Sequence, residues 1–174
     1  VDKFIPTQYW HYESSSEKMG TILLQLESMH YNPNVQSIYE NHAGCERGYF
    51  YTSDGEALPL PKKDKNNVNL YLPDLILKNK KTNMILLIEG KKSETLDRGL
   101  EEIKHFDSIE NEFIYKYHDT CSIERFVVTF GDDIYKEDNE DEVDMPLKVL
   151  YHLTKDGSIY FQDDYLIFLK DQEK

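Results

Sequence analysis

The stretch YLPDLILKNKKTNMILLIEGKK, residues 71–92, limits what this chain can fold into more than any other, because it reads as two apolar strands joined by the polar turn NKKTN. Strands so rich in Leu and Ile belong in a buried hairpin, yet these carry Asp74, Glu89 and Lys91. Burying an unpaired carboxylate or ammonium is costly or forces neutralisation. The three groups therefore either pair with one another or serve something that binds beside them.

Side chains alternate along a strand, so Glu89 and Lys91 point to one face and Gly90 to the other. The short turn makes the strand of Asp74 an antiparallel neighbour, which lets two carboxylates and one ammonium converge at one edge of the sheet. Two carboxylates beside a backbone carbonyl are a hard oxygen site, of the kind that holds Mg2+ together with water and phosphate oxygens. An ion there lowers the pKa of water and neutralises charge on a phosphoryl group, and Lys91 is placed to orient the attacking water. The bland reading is a strand end at Asp74 and a solvated Glu89–Lys91 pair worth under about 1 kcal/mol. The apolar residues on both sides weigh against it.

Elsewhere, SSSEKMGTILLQLESMHYN sets Met19, Ile22, Leu23, Leu26 and Met29 at helical spacing, with Ser14 and Glu17 as a capping box and Asn32-Pro33 as the stop. VQSIYE and GYFYTS follow as strands around a HAGCER turn. DGEALPLPKKDKNNVN is a long polar loop whose Lys62, Lys63 and Lys65 offer a small basic patch for DNA phosphates. The hairpin strands, Asn69 to Lys78 and Met84 to Lys92, come next. A second helix carries Leu96, Leu100, Ile103, Phe106, Ile109 and Phe113 on one face, with Ser93 or Thr95 as N-cap. IERFVVTFGDD is a strand, and KEDNEDEVD is a solvated acidic loop that lacks the EF-hand spacing. A hairpin around Asp156-Gly157 and the apolar stretch YLIFL close the chain. Helix, strands, helix, strand and appended hairpin together predict an α/β sandwich with a mixed sheet.

Pro73-Asp74, fourteen intervening residues and then Glu89-Gly90-Lys91 resemble the motif of the PD-(D/E)xK nuclease superfamily, and the element order over residues 14–131 is similar to that superfamily's core. Within it, the chain most resembles a type II restriction endonuclease or its cleavage domain or subunit. The resemblance implies a restriction-endonuclease-like α/β/α sandwich with a central mixed sheet and an αβββαβ core. It implies Mg2+, with Mn2+ able to substitute, held by Asp74, Glu89 and the Gly90 carbonyl, and Lys91 assisting the water. Many members add a glutamate from the first helix, here Glu17 or Glu27. The implied reaction is hydrolysis of phosphodiester bonds in double-stranded DNA within a restriction-modification system. Cutting both strands needs two sites, so a homodimer or a separate DNA-recognition domain or subunit is expected. The competing reading is a catalytically silent docking module of the same fold, whose acidic block meets a basic partner.

The formal net charge of −13 excludes gripping nucleic acid by bulk electrostatics, which leaves DNA recognition to a local surface or to a partner. A length of 174 residues fits one nuclease domain spanning 1–174, either excised from or partnered with a recognition domain. No apolar run is long enough to span a bilayer, and with two cysteines the chain is expected to be soluble and cytoplasmic. His42 with Cys45 and His118 with Cys121 repeat one spacing and can be read as a zinc site, against loop histidines and buried free thiols as the plainer alternative.

Overall fold

The computed structural model describes residues 2–4, 18–41, 49–60, 71–134, 136–139 and 142–172, with the backbone alone at 2–4, 136–139 and 142–143. In chain order the first elements are β1 (Asp2–Phe4), α1 (Met19–Tyr31), β2 (Val35–Glu40), β3 (Tyr49–Tyr51), β4 (Ala57–Pro59), β5 (Leu75–Asn79) and β6 (Met84–Lys92). They are followed by α2 (Leu96–Glu102), α3 (Asp107–Ile109), α4 (Tyr115–Tyr117), β7 (Ser122–Gly131), β8 (Lys136–Asn139), β9 (Glu142–Asp144), β10 (Val149–Thr154), β11 (Ile159–Phe161) and α5 (Asp163–Leu169).

Among the described residues seven strands form one sheet in the order β1-β11-β10-β7-β6-β5-β2. The turn at 80–83 makes β5 and β6 antiparallel, with Asn83 at φ 59 and the Asn79 side chain accepting from the Lys81 and Thr82 amides. Returning through α2 to α4 lays β7 parallel to β6, and β10 is parallel to β7 in turn. The other pairings in the sheet are antiparallel, so it is mixed.

Strand alternation sorts the apolar residues into two cores. Met84, Leu86 and Ile88 of β6, with Leu75 and Leu77 of β5 and Phe126 and Val128 of β7, pack against α1 and α5. Ile85 and Leu87, with Ile76 and Val127, pack against Ile103, Phe106, Ile109 and Ile114 on the other face. The hairpin is thus buried from both sides, and its near-continuous run of apolar residues follows from that.

Several expectations are corrected. The buried face of α1 is Met19, Gly20, Thr21, Leu23, Leu24, Gln25 and Ser28, whereas Met29 is 40% exposed. The helix turns its small residues to the sheet because it lies close. A Cβ on Gly20 would sit 3.0 Å from the Thr129 carbonyl oxygen and from Val128 Cγ1. Ser14 and Glu17 lie outside the described residues, and α1 begins after Lys18 without a side-chain cap. Thr95 is the N-cap residue of α2, as one of the two candidates, but without a side-chain capping bond: its Oγ1 donates to the Lys92 carbonyl at 3.2 Å, and Ser93 Oγ donates to the Asp132 carbonyl at 2.6 Å.

The single helix expected over 93–118 is interrupted at 103–106, between α2 and a helical stretch at 107–117 that contains a π-helical segment at Glu110–Ile114. Arg125 of β7 donates Nη1 to the Ile103 carbonyl at 3.0 Å and pairs with Asp107 and Glu110, and a side chain inserted into the helical ladder interrupts it there. The acidic block around 136–144 holds the two paired strands β8 and β9 rather than a plain loop, and the ALP segment pairs with β3. YLIFL lies in α5. No described helix is long and apolar enough to cross a membrane.

Candidate active site

The register that pairs Leu75 with Ile88 carries on to set Asp74 opposite Glu89 where β5 begins. Like charges directly opposite across a strand pair repel, so this place in the sheet is held by other interactions. The Asp74 amide donates to the Ile88 carbonyl at 2.9 Å, and its own carbonyl accepts from the Asn41 amide at 2.8 Å. Its Oδ2 accepts from the Gly90 amide at 2.7 Å, so the carboxylate continues the ladder on which the main chain stands. A third donor, Lys18 just ahead of α1, reaches the same oxygen at 2.6 Å and comes within 3.9 Å of Glu89 Oε1.

Glu89 and Lys91 follow Ile85 and Leu87 on the face covered by α2. Lys91 Nζ lies 3.9 Å from Glu89 Oε1 and 3.1 Å from Glu102 Oε2, and Arg98 reaches the other oxygen of Glu102 at 3.3 Å. The helix comes this close at Gly99, where a Cβ would sit 2.7 Å from Lys91 Cγ and 3.2 Å from Val127 Cγ1. Glu102, three residues on, shares that side of α2 and meets the ammonium. Asp74, Glu89 and Lys91 side chains are only 7 to 8% exposed, while Lys18 is 21% and Glu102 25% exposed.

Burial, and then the carboxylate of Asp74, push the Glu89 carboxyl well above the usual carboxylate range, while Lys18 pulls the other way. A carboxyl so placed keeps its proton unless more positive charge arrives. A bound cation reverses that balance by favouring the ionised form.

Among the described residues no group of three or more His, Cys, Asp or Glu side chains is arranged to hold a metal ion. Zinc cages need such a group, whereas Mg2+ commonly takes one or two carboxylates and fills its octahedron with water and phosphate oxygens. Two facing, buried carboxyl groups whose mutual repulsion is relieved by a cation fit that second pattern.

The other described candidates fall elsewhere. Glu27 lies nine residues past Lys18 on α1, about 13 Å along the helix axis, and accepts from the Tyr151 hydroxyl at 2.7 Å. It joins a different cluster from Asp74. His118 is buried with both ring nitrogens engaged, Nδ1 by Lys78 Nζ at 3.0 Å and Nε2 with the Tyr51 carbonyl at 2.7 Å, and Cys121 is an exposed free thiol. A zinc ion on His118 would have to displace one of these two partners. Glu17, His42, Cys45, Lys62, Lys63 and Lys65 lie outside the described residues. Lys18 and Glu102 were not anticipated. The one signal for Glu102 was Gly99 inside a helical pattern, which marks a close approach.

No protein-family model, curated protein or solved structure matches the chain.

Proposed function

We propose that the chain is a metal-dependent endodeoxyribonuclease of the PD-(D/E)xK type, with the restriction-endonuclease-like αβββαβ core formed by α1, β2, β5, β6, α2 and β7. The observation that carries this reading is the convergence of Asp74 and Glu89, face to face on antiparallel strands, with Lys91 at 3.9 Å from Glu89. Asp74, Glu89 and the Gly90 carbonyl would hold Mg2+ or Mn2+. The ion supplies charge neutralisation at the scissile phosphate and a lowered pKa for the attacking water. Lys91, its stem fixed under Gly99 and its ammonium held by Glu102, orients that water by donating to it. Water would then attack phosphorus and give up a proton to bulk solvent as the bond to the leaving oxygen breaks, and that oxygen would take a proton from a solvent water. Two copies of the site, through a homodimer or a second subunit, would cut both strands of duplex DNA, and a partner surface would supply recognition that a chain of net charge −13 lacks.

The silent docking module is favoured by one observation, the near-closure of charge within the cluster, where Lys18, Lys91 and Arg98 face Asp74, Glu89 and Glu102. Incubating supercoiled plasmid at low salt with Mg2+ or Mn2+ separates the two. Nicking that EDTA stops and Lys91→Ala lowers by about 100-fold or more is the expected result. Activity unchanged in Lys91→Ala would remove the assignment, and no cleavage by folded, concentrated wild-type chain on any duplex would favour the docking module.

A further inference from the structure

We propose that Lys18 is an internal stand-in for the divalent ion: its ammonium is bonded to Asp74 beside Glu89, ion binding displaces it, and it thereby sets the metal affinity of the site. The inference rests on the reading of Asp74 and Glu89 as metal ligands.

Three observations carry it. The ammonium lies 2.6 Å from Asp74 Oδ2 and 3.9 Å from Glu89 Oε1, so it stands against one and beside the other of two carboxyl groups that the strand register sets face to face and that hydrogen-bond to each other. Lys18 is also the N-cap residue of α1, the positive end of the helix dipole, where a cation is disfavoured and a side-chain acceptor is preferred. The carboxyl groups, not the helix, account for a lysine side chain turned inward there. Finally, the two lysines of the cluster differ in exposure. Lys91 is 8% exposed, with its stem under Gly99, while Lys18 is 21% exposed and stands where the helix starts. A long aliphatic stem at a rim can carry its ammonium out to water, so Lys18 is the lysine that can leave.

An internal competitor lowers apparent affinity by the fraction of molecules in which the site is open. If Lys18 is engaged in about nine molecules of ten, removing it tightens ion binding about tenfold.

The test is a calorimetric titration with Mn2+, together with thermal melts in EDTA and in Mn2+, on wild type, Lys18→Met, Lys18→Arg and Asp74→Asn. Lys18→Met is expected to bind Mn2+ about tenfold more tightly than wild type, to melt lower in EDTA, and to gain more from Mn2+ than wild type does. Lys18→Arg keeps the charge and stays near wild type, and Asp74→Asn loses binding. A purely structural lysine would lower the melt without tightening the ion. If Lys18→Met does not fold in EDTA, titration of Lys18→Gln gives the same comparison. Equal or weaker binding in the neutral variants, with Asp74→Asn silent, overturns the role of Lys18 and leaves the metal site standing. Binding that survives Asp74→Asn, or that no variant shows, overturns both.

Discussion

Glu89 and Glu27 are buried carboxyl groups on opposite sides of the sheet, and burial pushes both upward, yet they are set in unlike surroundings. Glu89 faces a second carboxylate, touches a third through Lys91, and has two lysines within 3.9 Å. Glu27 has a phenol: Tyr151 donates to its Oε2, its Oε1 has no hydrogen-bond partner, and Tyr165 lies beyond, bonded to Ser28 Oγ at 2.9 Å. Charges gathered by the fold around Glu89 make a place that answers to cations. A lone acid between tyrosines instead makes a place that answers to protons, and its main effect is on stability.

The largest expected difference is in catalysis. Asp74→Asn removes one of two facing carboxylates and is expected to lower metal-dependent plasmid nicking by about 100- to 1000-fold. Glu27→Gln, isosteric and remote, should leave the rate within about twofold, since it touches neither the proposed metal ligands Asp74 and Glu89 nor Lys91. A drop in Glu27→Gln as deep as that in Asp74→Asn, with both proteins folded, would place Glu27 in the site after all.

Stability reverses the order. The Glu27 carboxyl is raised from its ordinary value of 4.5 to about 7 by burial, and the Tyr151 hydrogen bond opposes the shift. Between pH 4.5 and about 7 the folded chain therefore keeps a proton that the unfolded chain has lost. Stability attributable to this residue falls as pH rises through that window. Glu27→Gln, which cannot ionise, is expected to be more stable than wild type by up to about 3 kcal/mol at pH 8, and to match it at pH 4. Urea unfolding at the two pH values checks this. An advantage for Glu27→Gln at pH 4 as large as that at pH 8 would show that the effect is packing and not proton binding.

The same contrast explains what the sequence could and could not disclose. Asp74, Glu89 and Lys91 were legible because strand periodicity and a short turn fix both the face and the register, and the apolar residues around them made three charges conspicuous. Their partners were not, because Lys18 and Glu102 enter from two helices on separate parts of the chain, and only packing at Gly99 and the start of α1 brings them in. The face of α1 was misjudged for a related reason. Counting apolar residues selected Met29, whereas the buried face holds Gly20, which lies against β7, together with Thr21 and Ser28, none of which a hydrophobic count includes. Glu27 was a candidate because the family resemblance calls for a glutamate on the first helix, and its separation from Asp74 depends on how far down the helix it lies.

The smallest effect tests the proton site from its other half. Tyr151→Phe keeps the ring and removes the hydroxyl that donates to Glu27 Oε2, which leaves a buried carboxyl with fewer partners. A hydrogen bond to a neutral acid is worth about 1 kcal/mol net, and one to a carboxylate about 1.5 to 3. The variant should therefore lose about 1 kcal/mol at pH 5.5, where Glu27 is protonated, and more at pH 8.5. Since this bond holds the Glu27 pKa down, its loss should also move the pH window of instability upward. In Glu27→Gln the same tyrosine change meets an amide that never ionises, so its cost should no longer depend on pH. Tyr151→Phe costing the same at both pH values with Glu27 intact would mean that the phenol does not sense the charge, and the proton site would reduce to two neighbours in a core.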